Sequence, residues 1–172
     1  MPRNPPTRRQ LPPGPPPTVP PALDDIDIDL LRILQSDGRR SIAALARDLG
    51  LAESTCAGRV RSLTTRGIVR GYIADVDPAA VGYAIEAMIA VSLSGQSRAH
   101  YETLRDDLAQ VPGVIAIYNT SGTSDFVVHI AAAGADALRD FLLDHVSNRP
   151  GVLRTETSLL FEATRGIGLL PR

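Results

Sequence analysis

Across residues 52–66, the side opposite the apolar stripe carries Ser54, Thr55, Gly58, Arg59, Arg61 and Ser62. Hydroxyl and guanidinium groups are donors that reach base edges and phosphates, so this face has the chemistry of a duplex DNA contact. Residues near the amino end of such a helix meet bases, and those further along meet phosphates. Ser54, Thr55 and Arg59 are therefore expected to contribute to base readout, and Arg61 and Arg66 to neutralise phosphates, with Arg40 as a further DNA contact. Taken singly, each arginine is also an ordinary solvated surface charge.

A second patch, NTSGTSDFVV at 119–128, interrupts two β-branched runs with one glycine and one carboxylate. Asp125 can accept hydrogen bonds from an ammonium group. Ser121, Thr123, Ser124 and the backbone N–H groups around Gly122 can hold a carboxylate, a pairing that suits a zwitterionic amino acid. On the residues alone, the same stretch reads as an ordinary hairpin turn carrying an aspartate.

No catalytic constellation stands out. His100, His129 and His145 lie on three different elements, without metal-ligand spacing, and no serine or cysteine has an evident activating partner. GTSD and RGIG are too short for a phosphate loop, so no cofactor is expected.

The elements that must position these residues follow from periodicity. A first helix starts at Asp24, with Ile26, Leu30, Ile33 and Leu34 on one stripe, and ends at Gly38. Ser41 caps a second, with Ile42, Leu45, Ala46 and Leu49 inward and Gly50 as its left-handed stop. A third runs from about Ala52 to Arg66, with Cys56, Val60 and Leu63 inward and Gly67 closing it. Two short helices around the turn Gly50-Leu51 form a helix-turn-helix. Ala52 is a poor cap, and Gly58 weakens the helix interior.

GIVRGYIAD (67–75) predicts an extended segment, and Asp77-Pro78 breaks the chain. Strand, helix, strand, strand, helix, strand then follow at about 84–94, 98–110, 114–121, 126–132, 135–147 and 153–162. That order predicts a ferredoxin-like βαββαβ sandwich. The fold class expected is α+β: a helix-turn-helix (winged-helix-like) domain at 23–71, a hinge strand at 72–83 and an α+β domain at 84–172. Residues 1–22 hold ten of the fourteen prolines and are expected to form a disordered tail, with Arg3, Arg8 and Arg9 able to brush DNA. LPPGPPP after Arg8-Arg9 excludes the apolar region of a twin-arginine signal.

The net charge of −1 hides an asymmetry. Residues 39–74 carry seven arginines against Asp48 and Glu53, whereas residues from 76 onward carry seven against eleven acids. A basic segment ahead of an acidic one fits a phosphate-contacting module joined to one that does not touch DNA. Every basic side chain is arginine, which reads mainly as compositional bias. Cys56 alone makes no internal disulfide and falls on the apolar stripe. No apolar run approaches the length of a membrane span.

These residues resemble the Lrp/AsnC family of transcription regulators over about 23–165. LDDIDIDLLRILQSDGR looks like its first helix, and LARDLGLAESTCAGRVRSLTTRGIVRGYIADVDPAAVG like its recognition helix and linker. SGTSDFVV is similar to its Gly-x-x-Asp effector loop, with Gly122 and Asp125 matching residue for residue and Ser121 where threonine is common. TETSLLFE resembles its last strand. Thr123-Ser124 depart from the usual acidic-aromatic pair, and Ala52 replaces the usual serine.

The resemblance implies a cytoplasmic, nucleoid-associated regulator that binds a roughly palindromic double-stranded operator and is not an enzyme. It further implies a homodimer, built through the α+β domain and assembling to tetramers or octamers, with a small amino-acid effector between dimers. An alternative on the same two-domain layout is an enzyme like the siroheme decarboxylases.

Overall fold

A computed structural model of the chain describes residues 22–94, 98–164, 166 and 168–170. The expected disordered tail, with Arg3, Arg8 and Arg9, lies outside the described residues except for Ala22. The described residues divide into two compact units, a helical one that runs to Ala74 and takes in those beyond 165, and one from Asp75 to Thr164. The boundary falls between Ala74 and Asp75. The described residues beyond 165 group with the helical unit rather than with the α+β unit, and there the Leu169 amide donates to Gln35 Oε1 at 3.2 Å.

In the helical unit α1 spans Asp25–Ser36, α2 Ile42–Asp48 and α3 Glu53–Thr65. Their ends follow local chemistry. Asp24 caps α1 by accepting the Asp27 amide at 2.8 Å, and Ser41 Oγ accepts the Ala44 amide at 3.2 Å at the start of α2. Gly50 (φ 65°) lets the chain leave α2, with the Leu51 amide closing on Ala46 O at 2.8 Å. Gly67 (φ 73°) ends α3 in the same way, and the Ile68 amide reaches Leu63 O at 2.9 Å. Ala52 supplies no side-chain cap.

Leu30, Leu34, Leu45, Ala46, Cys56 and Leu63 form the core of this unit, with Leu49, Leu51 and Val60 around it. Burial pushes the Cys56 thiol above its ordinary pKa, so it behaves as a small apolar side chain rather than a thiolate. No strand precedes β1 among the described residues. The segment expected to be extended, 67–75, begins as a turn at the end of α3, and residues 70–77 run on without regular pairing, leaving Ile73 94% exposed and Tyr72 and Val76 exposed as well.

The second unit contains β1 (Ile85–Leu93), α4 (Arg98–Leu108), β2 (Val114–Asn119), β3 (Phe126–Ala132), α5 (Ala135–Phe141) and β4 (Val152–Leu160). The helix expected over 135–147 is α5 followed by a wider π-helical stretch at Leu142–Ser147. The sheet order is β2-β3-β1-β4 with every neighbour antiparallel, which is the expected ferredoxin-like sandwich.

Alternation fixes the two faces of the sheet. Ala87, Ile89 and Val91 of β1 and Phe126, Val128 and Ile130 of β3 point into one core with Leu104, Leu108, Leu138, Phe141 and Val146 from the helices. Glu86, Met88, Ala90 and Ser92 lie on the other face, half-buried, where Glu86 Oε2 meets His129 Nε2 at 2.8 Å. No helix among the described residues is long and apolar enough to cross a membrane.

Candidate DNA-contacting helix and effector loop

The inward residues Cys56 and Leu63 fix how α3 is turned, and its other side is left to solvent. Ser54, Thr55, Gly58, Arg61 and Ser62 are all exposed there. Space is open around Gly58, so no packing inside the unit explains a glycine in mid-helix.

The arginines assigned to DNA differ in their surroundings. Arg61 has no side-chain partner among the described residues. Arg40 pairs with Asp48 through Nε at 3.0 Å and Nη2 at 2.5 Å, and Arg66 Nη2 donates to Ala22 O at 2.8 Å. Both side chains remain exposed.

Arg59, expected to take part in base readout, meets carboxylates within the chain. Its Nη1 donates to Asp24 Oδ1 and Oδ2 at 2.9 and 2.8 Å and to Asp27 Oδ1 at 2.8 Å. One nitrogen of the guanidinium is thus engaged at the first turn of α1. These bonds hold the Arg59 pKa above its usual value, through Asp24 first and then Asp27. Asp27 is buried, and its carboxylate there meets the Arg59 guanidinium.

In the other unit, the turn between β2 and β3 carries Ser121, Gly122, Thr123, Ser124 and Asp125. All are exposed except the half-buried Ser124, and Gly122 has φ 150°. Local bonds shape the turn: the Thr120 amide donates to Asp125 O at 3.1 Å, and Thr120 Oγ1 donates to Ser124 O at 2.7 Å. Ser92 Oγ donates to Thr123 O at 3.0 Å, which ties the turn to β1. Asp125 Oδ2 accepts the Leu93 amide, so one carboxylate oxygen is engaged within the chain.

Beside the turn lies a shallow depression lined by Ala90, Ser92, Thr123, Ser124, Arg154 and Glu156. Arg154 and Glu156 escaped the sequence reading because they are about thirty residues from the turn. The β1–β4 register carries them there, with Ser92 opposite Arg154 and Ala90 opposite Glu156. A cation and a carboxylate 3.2 Å apart add a charge pair to the hydroxyls of the turn.

Residues 23–64 match the AsnC-type helix-turn-helix domain and residues 86–165 the Lrp/AsnC ligand binding domain. The chain is 42% identical over 144 residues to the HTH-type transcriptional regulator AldR of Mycolicibacterium smegmatis, covering 84% of each protein. It is 34% identical over 149 residues to the HTH-type transcriptional regulator FL11 of Pyrococcus horikoshii, covering 87% of this chain and 96% of that one. The structure of the transcriptional regulator NMB0573 in complex with L-Met, from Neisseria meningitidis, is similar with TM-score 0.79 at 27% identity, over 87% of this chain and 97% of that one.

Proposed function

The chain belongs to the Lrp/AsnC family of DNA-binding transcriptional regulators, and from that premise we propose how its two units divide the work. The exposed side of α3 enters the major groove, with Ser54 and Thr55 at base edges and Arg61, Arg66 and Arg40 at phosphates. The observation carrying this reading is that α3 keeps hydroxyls, a bare glycine and Arg61 on the side its own core does not use.

The α+β unit pairs with a second copy, and such dimers assemble to tetramers or octamers. Two α3 helices about 34 Å apart then require a roughly palindromic operator. The exposed 70–77 segment acts as the hinge and as a strand between subunits, which explains an isoleucine as open as Ile73. The protein works in the cytoplasm, on the nucleoid.

Ser121, Gly122, Thr123, Ser124 and Asp125 hold a small amino acid between dimers. The L-Met bound by the related NMB0573 supports that ligand class. Such an effector shifts DNA occupancy only through different affinities for two assembly states. Thermal-shift titration against the twenty amino acids tests the loop, and a melting point that none of them moves overturns the sensor reading. No observation favours a siroheme-decarboxylase-like activity, and the named relatives are regulators.

A further inference from the structure

We infer that Arg59 is a positioning residue for DNA recognition: it locks the register of α3 against the first turn of α1 and does not itself touch a base. The inference rests on α3 being the DNA-contacting helix and gives one of its residues a role within that reading.

Three observations carry it. All three bonds from Arg59 to α1 leave a single nitrogen, Nη1, and reach two carboxylates 35 and 32 residues away along the chain. Arg59 lies in the middle of α3, and Asp24 and Asp27 cap and open α1, so the clamp joins one helix centre to another helix end. The Asp27 side chain is only 10% exposed, and a carboxylate so enclosed needs its cation.

The apolar contacts of Cys56, Val60 and Leu63 are non-directional and tolerate sliding, whereas charge-assisted hydrogen bonds fix distance and direction. Reading guanine would instead require Arg59 to aim two parallel N–H groups at a base edge. Its Nη1 is engaged at α1, which withdraws the end-on fork of Nη1 and Nη2 from a base edge. The clamp therefore sets how far along the groove Ser54 and Thr55 are presented.

The full chain tests this with a duplex from its own promoter and a scrambled duplex, titrated across a salt series. The variants are Arg59→Ala, Arg59→Lys, Asp24→Ser/Asp27→Ala (which keeps a capping hydroxyl) and the triple combination. Arg59→Ala and the acid-free variant should each lose about tenfold or more on the promoter duplex, with the salt slope unchanged. The triple variant should be no worse than Arg59→Ala. Arg59→Lys should recover most of the loss, because one nitrogen suffices for the bonds.

A base contact gives the opposite pattern. The acid-free variant then binds as well as or better than the parent, Arg59→Lys fails to rescue, and the slope falls by about 1 for Arg59→Ala if a phosphate is met. Should Arg59→Ala not fold, the lysine and acid-free variants alone decide. A parent protein gripping both duplexes alike overturns the DNA reading and the inference together, a result unlike either variant pattern.

Discussion

The Asp125 carboxylate accepts the Leu93 amide at 2.7 Å while the Asp125 amide donates to Val91 O at 2.9 Å, so one residue pins the β2–β3 turn to the end of β1. Asp125→Ala leaves the Leu93 amide without that acceptor and should cost about 1 kcal/mol, given the exposed setting. Asp125→Asn keeps an acceptor and should fold nearly as well. Both variants remove the negative charge offered to an ammonium group, so both should lose the thermal shift with the effector. An asparagine variant that keeps the full shift removes the carboxylate from ligand binding.

Gly58 sits on the exposed side of α3 with nothing near the position of a Cβ. Gly58→Ala should stabilise the free protein by roughly 0.5–1 kcal/mol, because glycine is a poor interior helix residue. On the proposed docking, the added methyl stands in the DNA interface, so affinity should fall while the unfolding midpoint rises. Chemical denaturation beside a mobility-shift titration reads both. A rise in both takes Gly58 off the DNA-facing side.

Arg61 is the exposed guanidinium of α3 without a partner among the described residues. Arg61→Ala should weaken binding to every duplex alike and lower the salt slope by about 1. An unchanged slope removes it from the phosphate contacts.

Ala52 takes the N-cap position of α3 with extended backbone (φ −68°, ψ 142°) and no side-chain bond. Ala52→Ser offers an acceptor to the free amides of the first turn and should stabilise by about 1 kcal/mol in urea unfolding. A neutral or destabilising result shows that those amides are already satisfied.

The Asp24 carboxyl is held below its ordinary pKa of 3.8, first by the Asp27 amide it accepts and then by Arg59. A carboxylate whose folded pKa is depressed stabilises the fold above its unfolded pKa and loses that contribution as pH falls through the folded value. The midpoint difference between parent and Asp24→Asn should therefore be constant from roughly pH 7 to 5 and shrink below about pH 4. A difference that widens on acidification contradicts the assignment.

Local chemistry made most of the fold readable. Ser41, Gly50 and Gly67 mark the helix ends by capping and left-handed backbone, and alternation placed β3 at 126–132 as observed. Periodicity reports which side of α3 is apolar, yet it carries no information on charges that meet across 32 residues. Arg59 therefore read as a base-contacting cation on the free side of α3, and nothing in the spacing tied it to the buried Asp27. Arg154 and Glu156 were hidden for the same reason, since only strand register brings them beside the turn. The widening of the helix after Phe141 left no mark in the spacing of Leu138, Leu142 and Val146.

Titration of the chain's own promoter duplex against a scrambled duplex of equal length, at fixed salt and then across a salt series, decides whether α3 reads sequence. Promoter binding should be tighter by at least about a thousandfold, with similar salt slopes for both duplexes. Equal affinities for the two, at every salt concentration, contradict a regulator that reads base pairs with α3.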